Sequence, residues 1–136
     1  MISVIFSTYN SPEWMEKTLW GLHYQTCQDF EVIIADDGSG EETARRITSF
    51  KQQSSCKIKH VWQPDAGFQK TRILNKALLQ SEGDYIVFTD GDCILRKDFL
   101  EAHLHYRQPG YFLSGGYFKL PMHISQAISH RQRPGI

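Results

Sequence analysis

The residues best suited to chemistry in this chain are aspartates. Asp90-Gly91-Asp92 sets two carboxylates two residues apart at the end of an apolar run, and an extended backbone with that spacing lets both side chains lean to one side. Hard oxygen donors of this kind suit Mg2+ or Mn2+, which keep several waters and complete their coordination with substrate phosphates. Gly91 leaves space for a diphosphate to approach the backbone, and a metal ion can neutralise such a group as it departs. Two more polar clusters close apolar runs, Ser7-Thr8-Tyr9-Asn10 and Asp36-Asp37-Gly38-Ser39. Each alone reads equally well as a turn, because Asp, Asn, Ser and Gly end strands for conformational reasons. Together they carry weight only if the fold gathers them.

The pattern of elements predicts that it does. Ile2 to Ser7 and Phe30 to Ala35 are short, β-branched and apolar throughout, which is how strands buried on both faces of a parallel sheet read. Between them, Ser11 and Pro12 suit a helix start, and Trp14, Met15, Leu19 and Leu22 follow at helical spacing. Ser39 and Glu42 form a capping-box pattern ahead of Ala44, Ile47 and Phe50. Lys57 to Trp62 alternates like a strand nearer an edge, Gln69 to Gln80 has one apolar helical face, and Asp84 to Thr89 is another buried strand. Lys97 to Tyr106 reads as a helix, and Tyr111 to Leu120 as one or two strands broken by Gly115-Gly116. Alternating strand and helix imply an α/β fold, a parallel sheet with helices on both faces, whose ligand site lies at the carboxyl ends of the strands. All three polar clusters fall there.

At 136 residues, 40% hydrophobic and 22% charged, the chain matches one soluble globular domain. No stretch approaches the roughly 18 to 20 apolar residues that cross a bilayer, so the expected compartment is the cytoplasm. Fifteen basic and fifteen acidic residues cancel, which removes the electrostatic term that nucleic-acid binding relies on and argues against a nucleic-acid partner. The balance is uneven along the chain, since every carboxylate lies at or before Glu101 and the remainder is net basic. Cys27, Cys56 and Cys93 fit neither a disulfide framework nor a metal knuckle and are expected as reduced thiols.

The motifs, in order and spacing, resemble the nucleotide-binding part of the family 2 glycosyltransferases of the GT-A fold. Ser3-Val4-Ile5-Phe6-Ser7-Thr8-Tyr9-Asn10 is similar to that family's first strand and nucleotide loop, and Gln25-Thr26 with Asp29-Phe30-Glu31-Val32-Ile33-Ile34 to its approach to the second strand. Asp36-Asp37-Gly38-Ser39 resembles its acidic turn, Gly67-Phe68 with Arg72 and Asn75 its third block, and Gly83 to Phe88 with Asp90-Gly91-Asp92 its DxD block. The likeness covers about residues 1–120, leaving 121–136 as a basic, unpatterned tail expected either to be disordered or to have lost the segment it packs against. Ala66-Gly67-Phe68 to Asn75 is most similar to members that build bacterial capsules or glycosaminoglycan-like polymers.

This resemblance implies roles. Ser7 and Tyr9 would line the base pocket, Tyr9 by stacking, with Asp37 accepting the uracil N–H and Asp36 as its neighbour. Arg72 would sit near the base or diphosphate, Asp90 near the ribose or a metal-bound water, and Asp92 would be the direct ligand of Mg2+ or Mn2+. The implied reaction is metal-dependent transfer from a UDP-sugar, with inversion, to a saccharide or lipid-linked saccharide acceptor in polysaccharide biosynthesis. That chemistry allows peripheral association with the inner face of the membrane.

An inverting transferase also needs a general base for the acceptor hydroxyl, which in this family is a carboxylate beyond the DxD block. No Asp or Glu follows Glu101, so the expectation is an N-terminal fragment or shortened chain that keeps the donor half of the site. His103 and His105 cannot replace the base as a pair, because two residues apart on a helix lie about 200° apart around the axis. His123 and His130 receive no role. Two readings from other classes fail on order: a signalling receiver needs its acidic pair after the first strand, and Gly38-x-Gly40 lacks the third glycine of a dinucleotide loop. A nucleotide-sugar-binding module without catalysis remains the alternative.

Overall fold

A computed structural model of the chain describes residues 1–128. Strands β1 (Ile2–Thr8), β2 (Phe30–Asp36), β3 (Lys57–Trp62) and β4 (Tyr85–Asp90) alternate with helices α1 (Pro12–His23), α2 (Glu41–Gln53) and α3 (Lys70–Leu79). Helices α4 (Phe99–Tyr106) and α5 (Met122–Ala127) follow. The sheet is all parallel in the order β3-β2-β1-β4.

The strand pleat divides the apolar residues between two faces. Ile2, Val4 and Phe6 of β1, with Val32 and Ile34 of β2, join Met15, Leu19, Ile47 and Phe50 of α1 and α2, and Leu100 of α4, in one core. Ile5, Ile33 and Ala35 point the other way, onto Ile73 and Ala77 of α3. That double covering is why β1 and β2 are apolar without alternation, and why α3 shows only a narrow buried stripe. Because α1 leaves β1 toward β2 on one face and α3 returns to β4 on the other, the chain diverges between β1 and β4, where a crevice opens at the carboxyl edge.

Two expected helix starts are built differently. Ser11 precedes α1, but its hydroxyl donates to the Tyr9 carbonyl at 3.1 Å rather than capping the helix. The residue at the N-cap of α2 is Gly40, one place beyond Ser39, and the Ser39 hydroxyl instead accepts the Asn10 N–H at 2.9 Å. The expected strands over Tyr111 to Leu120 do not form; no strand is found among the described residues past β4. Tyr111, Phe112, Tyr117 and Phe118 are 76–89% exposed, so that segment meets neither a sheet edge nor a core face that would hold it extended. Within the segment read as a basic tail, 122–127 is the short helix α5, whose Ser125 carbonyl accepts Lys17 Nζ at 2.6 Å. Residues 129–136, with His130, lie outside the described residues. Cys27, Cys56 and Cys93 are all free thiols.

Candidate functional site

Ser7 and Asp90 are register partners across β1 and β4, so the parallel ladder alone brings the first and last polar clusters together. The crevice beyond them, about 420 Å3, is lined by Ser7, Thr8, Tyr9, Ser11, Trp14 and, opposite, Lys70 and the Asp90-Gly91-Asp92 turn. Gly91 has a steric reason beyond ligand access: a Cβ there would lie 2.5 Å from the Ser7 carbonyl oxygen. The close approach of the two strand ends therefore requires a glycine.

The loops around the crevice are tied to one another. Asn10 adopts a left-handed backbone, φ 45°, and its side-chain oxygen accepts the Gly40 N–H at 2.9 Å, so the turn after β1 is anchored to the turn after β2. Tyr9 Oη donates to Asp65 Oδ2 at 2.7 Å, a bond that raises the phenol pKa and leaves the half-exposed ring facing the crevice. Gly38, at φ 96°, lets the loop at Asp65 come against the β2 turn, since a Cβ would fall 2.5 Å from the Asp65 Cα.

The neighbouring Asp36 and Asp37 part company here. Asp36 is buried, with Oδ2 at 2.8 Å from His60 Nε2 and Oδ1 accepting the Ser39 N–H at 2.8 Å. Burial alone pushes its carboxyl pKa up, but the bonds from His60 and Ser39 prevail and hold it below the usual aspartate value. Asp37 turns to the other face, where Oδ1 accepts Gln63 Nε2 at 2.7 Å and Oδ2 accepts the Gln69 N–H at 2.8 Å. Neither carboxylate lines the crevice. Arg72 is exposed on α3 and also lies apart from that lining, whereas Lys70, two residues earlier, places Nζ 3.3 Å from Asp90 Oδ1.

Asp90, Asp92 and Cys93 offer donor atoms within 4.8 Å of one another. The Cys93 thiol is pushed up by burial first and then by the two carboxylates, so the group stands neutral. Two exposed carboxylates with an ammonium already drawn to one of them form a donor set that fits a hard divalent cation. Sequence reasoning missed Lys70 and Cys93. Cys93 was visible as the residue after the acidic pair; Lys70 had no signal of its own, because only the crossing of α3 over the sheet brings it to Asp90.

His103 and His105 separate as helical spacing requires. His103 accepts or donates at Nδ1 to Tyr85 Oη, 2.9 Å away, and packs on Phe99, and burial lowers its pKa; His105 lies against Tyr106.

The family model for glycosyl transferase family 2 matches residues 3–114. The chain belongs to this family. Chondroitin synthase of Escherichia coli is 35% identical over 92 residues, which is 67% of this chain and 13% of the synthase. Among solved structures, TarS 1-349 of Staphylococcus aureus in complex with UDP-GlcNAc superposes with a TM-score of 0.64 and 29% identity, over 76% of this chain and 30% of that one. The mannosyltransferase PcManGT of Pyrobaculum calidifontis, in complex with GDP-Man and Mn2+, gives a TM-score of 0.72 at 25% identity, over 79% and 32%. The α/β fold with its parallel sheet is thus that of the GT-A glycosyltransferases. The chain spans about a third or less of the length of the relatives it matches. Among the described residues of this family 2 domain, no helix is long and apolar enough to cross a membrane.

Proposed function

We propose that the domain binds the donor, a UDP-sugar, at the β1–β4 crevice together with Mn2+ or Mg2+, and that it serves metal-dependent sugar transfer with inversion to a saccharide acceptor in polysaccharide synthesis. The observation that carries this is the meeting of Ser7 and Tyr9 with Asp90 and Asp92 across one crevice at the strand ends. UDP-GlcNAc in TarS, and the likeness to chondroitin synthase, support a UDP-sugar and a polymeric product.

Tyr9 presents an aromatic face for the base, and Ser7 offers a hydroxyl beside it. Asp90 and Asp92 would hold the cation, which when bound neutralises charge gathering on the departing diphosphate. Asp37 would meet the uracil N–H from the far side of the Tyr9 loop, while its bond to the Gln69 N–H sets where α3 begins. Asp36 supports that turn from beneath through His60 and Ser39. Arg72, exposed on α3, would reach toward the donor from outside the crevice. The acceptor, a saccharide or lipid-linked saccharide, would approach from the open side, in the cytoplasm and at the inner membrane face.

Calorimetric titration with UDP, GDP and ADP, each with Mn2+ and again with EDTA, tests the reading. Saturable, metal-dependent binding of UDP alone is expected, and equal affinity for all three, or binding indifferent to EDTA, would overturn it. Sugar release from the bound donor separates a transferase from a binding module, which would hold donor without turnover.

A further inference from the structure

Lys70 occupies an unusual position in the crevice. It is the first residue of α3, it lines the same space as Asp90 and Asp92, and its ammonium is 3.3 Å from Asp90 Oδ1. Its backbone is held firmly: the residue before it donates its N–H to Asp37 Oδ2 at 2.8 Å and accepts the Ile73 N–H at 3.1 Å. The head group is not held in the same way. The Lys70 side chain is 41% exposed and that of Asp90 is 62% exposed, so solvent screens the pair, and such a pair contributes little to the fold. An anchored stem with an exchangeable charge suits a residue that changes partner.

We propose that Lys70 exchanges places with the divalent cation. In this structure the ammonium neutralises Asp90; with a divalent ion held by Asp90 and Asp92, Lys70 would leave Asp90 and pair with the donor's diphosphate. This rests on the UDP-sugar reading above. The charge balance favours the exchange. Two carboxylates are matched by one divalent ion, which leaves the ammonium without its partner beside a diphosphate carrying more negative charge than the metal site can neutralise. Lysine is suited to the move because its charge sits on a flexible four-carbon stem, unlike the planar fork of arginine. Lys70 would therefore couple the two ligands: it competes with the metal alone and assists the metal and nucleotide together.

The test is Lys70→Met in the full chain, measured with Mn2+ alone and then with uridine and UDP in the presence of Mn2+. Removal of a competing exposed ion pair should tighten Mn2+ alone by about three- to fivefold. Loss of a charge-assisted phosphate contact should weaken UDP by about tenfold while uridine binds as before. Lys70→Arg should keep most of the UDP affinity. Unchanged Mn2+ and UDP affinities in Lys70→Met would overturn the proposal, and so would an equal loss of uridine and UDP, which marks a purely structural role. Failure of the unsubstituted chain to bind UDP with Mn2+ would instead remove the UDP-sugar reading, with the Mn2+ arm still deciding whether Lys70 competes for the cation.

Discussion

Asp37 Oδ2 accepts the backbone N–H of Gln69 at 2.8 Å, and this bond ties the turn after β2 to the start of α3 across 32 residues of sequence. The second oxygen accepts Gln63 Nε2 at 2.7 Å, so the buried carboxylate joins three segments of chain. Asp37→Ala should leave the Gln69 N–H without its acceptor and Gln63 Nε2 with only the longer bond to the Gln69 carbonyl at 3.3 Å, and cost about 2 to 3 kcal/mol of stability, read by chemical denaturation. Because α3 carries Lys70, the same substitution should also weaken UDP binding in calorimetry. Full affinity in a destabilised variant would remove Asp37 from the uracil contact and show that α3 keeps its start without it.

Asp92→Ala should behave in the opposite way. Asp92 is exposed, and among the described residues its side chain accepts a hydrogen bond only from the Cys93 thiol at 3.8 Å, a weak donor. The substitution should leave the thermal midpoint unchanged and abolish metal-dependent UDP binding. Retained affinity would remove Asp92 from the cation site.

Gly91→Ala tests the close approach of β1 and β4. The added Cβ would meet the Ser7 carbonyl at 2.5 Å, so the strand ends must part, at a cost of about 1 to 3 kcal/mol. Nucleotide affinity should fall along with stability, since the strain is placed at the crevice floor. An alanine variant as stable as the parent would show that this edge yields readily.

Acid should unfold the protein partly through Glu31. This residue is fully buried at the far end of the sheet from the crevice; burial raises its pKa, but the Glu82 N–H at 2.7 Å, the Ser3 hydroxyl at 2.7 Å and Lys59 outweigh that and leave it below the usual glutamate value. A depressed folded pKa stabilises above the unfolded value of about 4.5 and loses that contribution as pH falls through the folded one. Asp36, also held low, adds to the same acid limb. Glu31→Gln should therefore flatten the decline of stability below about pH 4.5, measured by denaturation at stepped pH. An unaltered profile would place the acid sensitivity elsewhere.

Much of the architecture follows from local pattern. Runs such as Ile2 to Phe6 and Phe30 to Ala35 can be satisfied only by burial on both sides, and with polar turns and amphipathic helices between them, chain connectivity leaves a parallel sheet as the consistent arrangement. The same rule sends Ser7, Asp36 and Asp90 to one edge. Adjacency in sequence did not determine roles. Asp36 and Asp37 look like a pair, but the pleat alternates, so one carboxylate goes to His60 beneath the sheet and the other to Gln63 and Gln69 above it. Ser39 and Glu42 look like a capping box, but α2 takes Gly40 as its N-cap and the Ser39 hydroxyl serves the Asn10 N–H across the loops. Tyr111 to Leu120 reads as one or two strands broken by Gly115-Gly116, yet a strand exists only against a partner, and β4 offers none of its length to that segment. Lys70 and Arg72 are both plain helix cations in sequence; the crossing of α3 over the sheet, fixed by Ile73 and Ala77 packing on Ile5 and Ile33, brings the first to Asp90 and leaves the second in solvent. The sequence by itself determined the elements from β1 to α4 and the edge where chemistry could occur, because these depend on short-range periodicity and chain connectivity. Which side chains meet there was decided by the tertiary structure, because a hydrogen bond or ion pair depends on distances of a few ångströms set by packing between elements far apart in the chain.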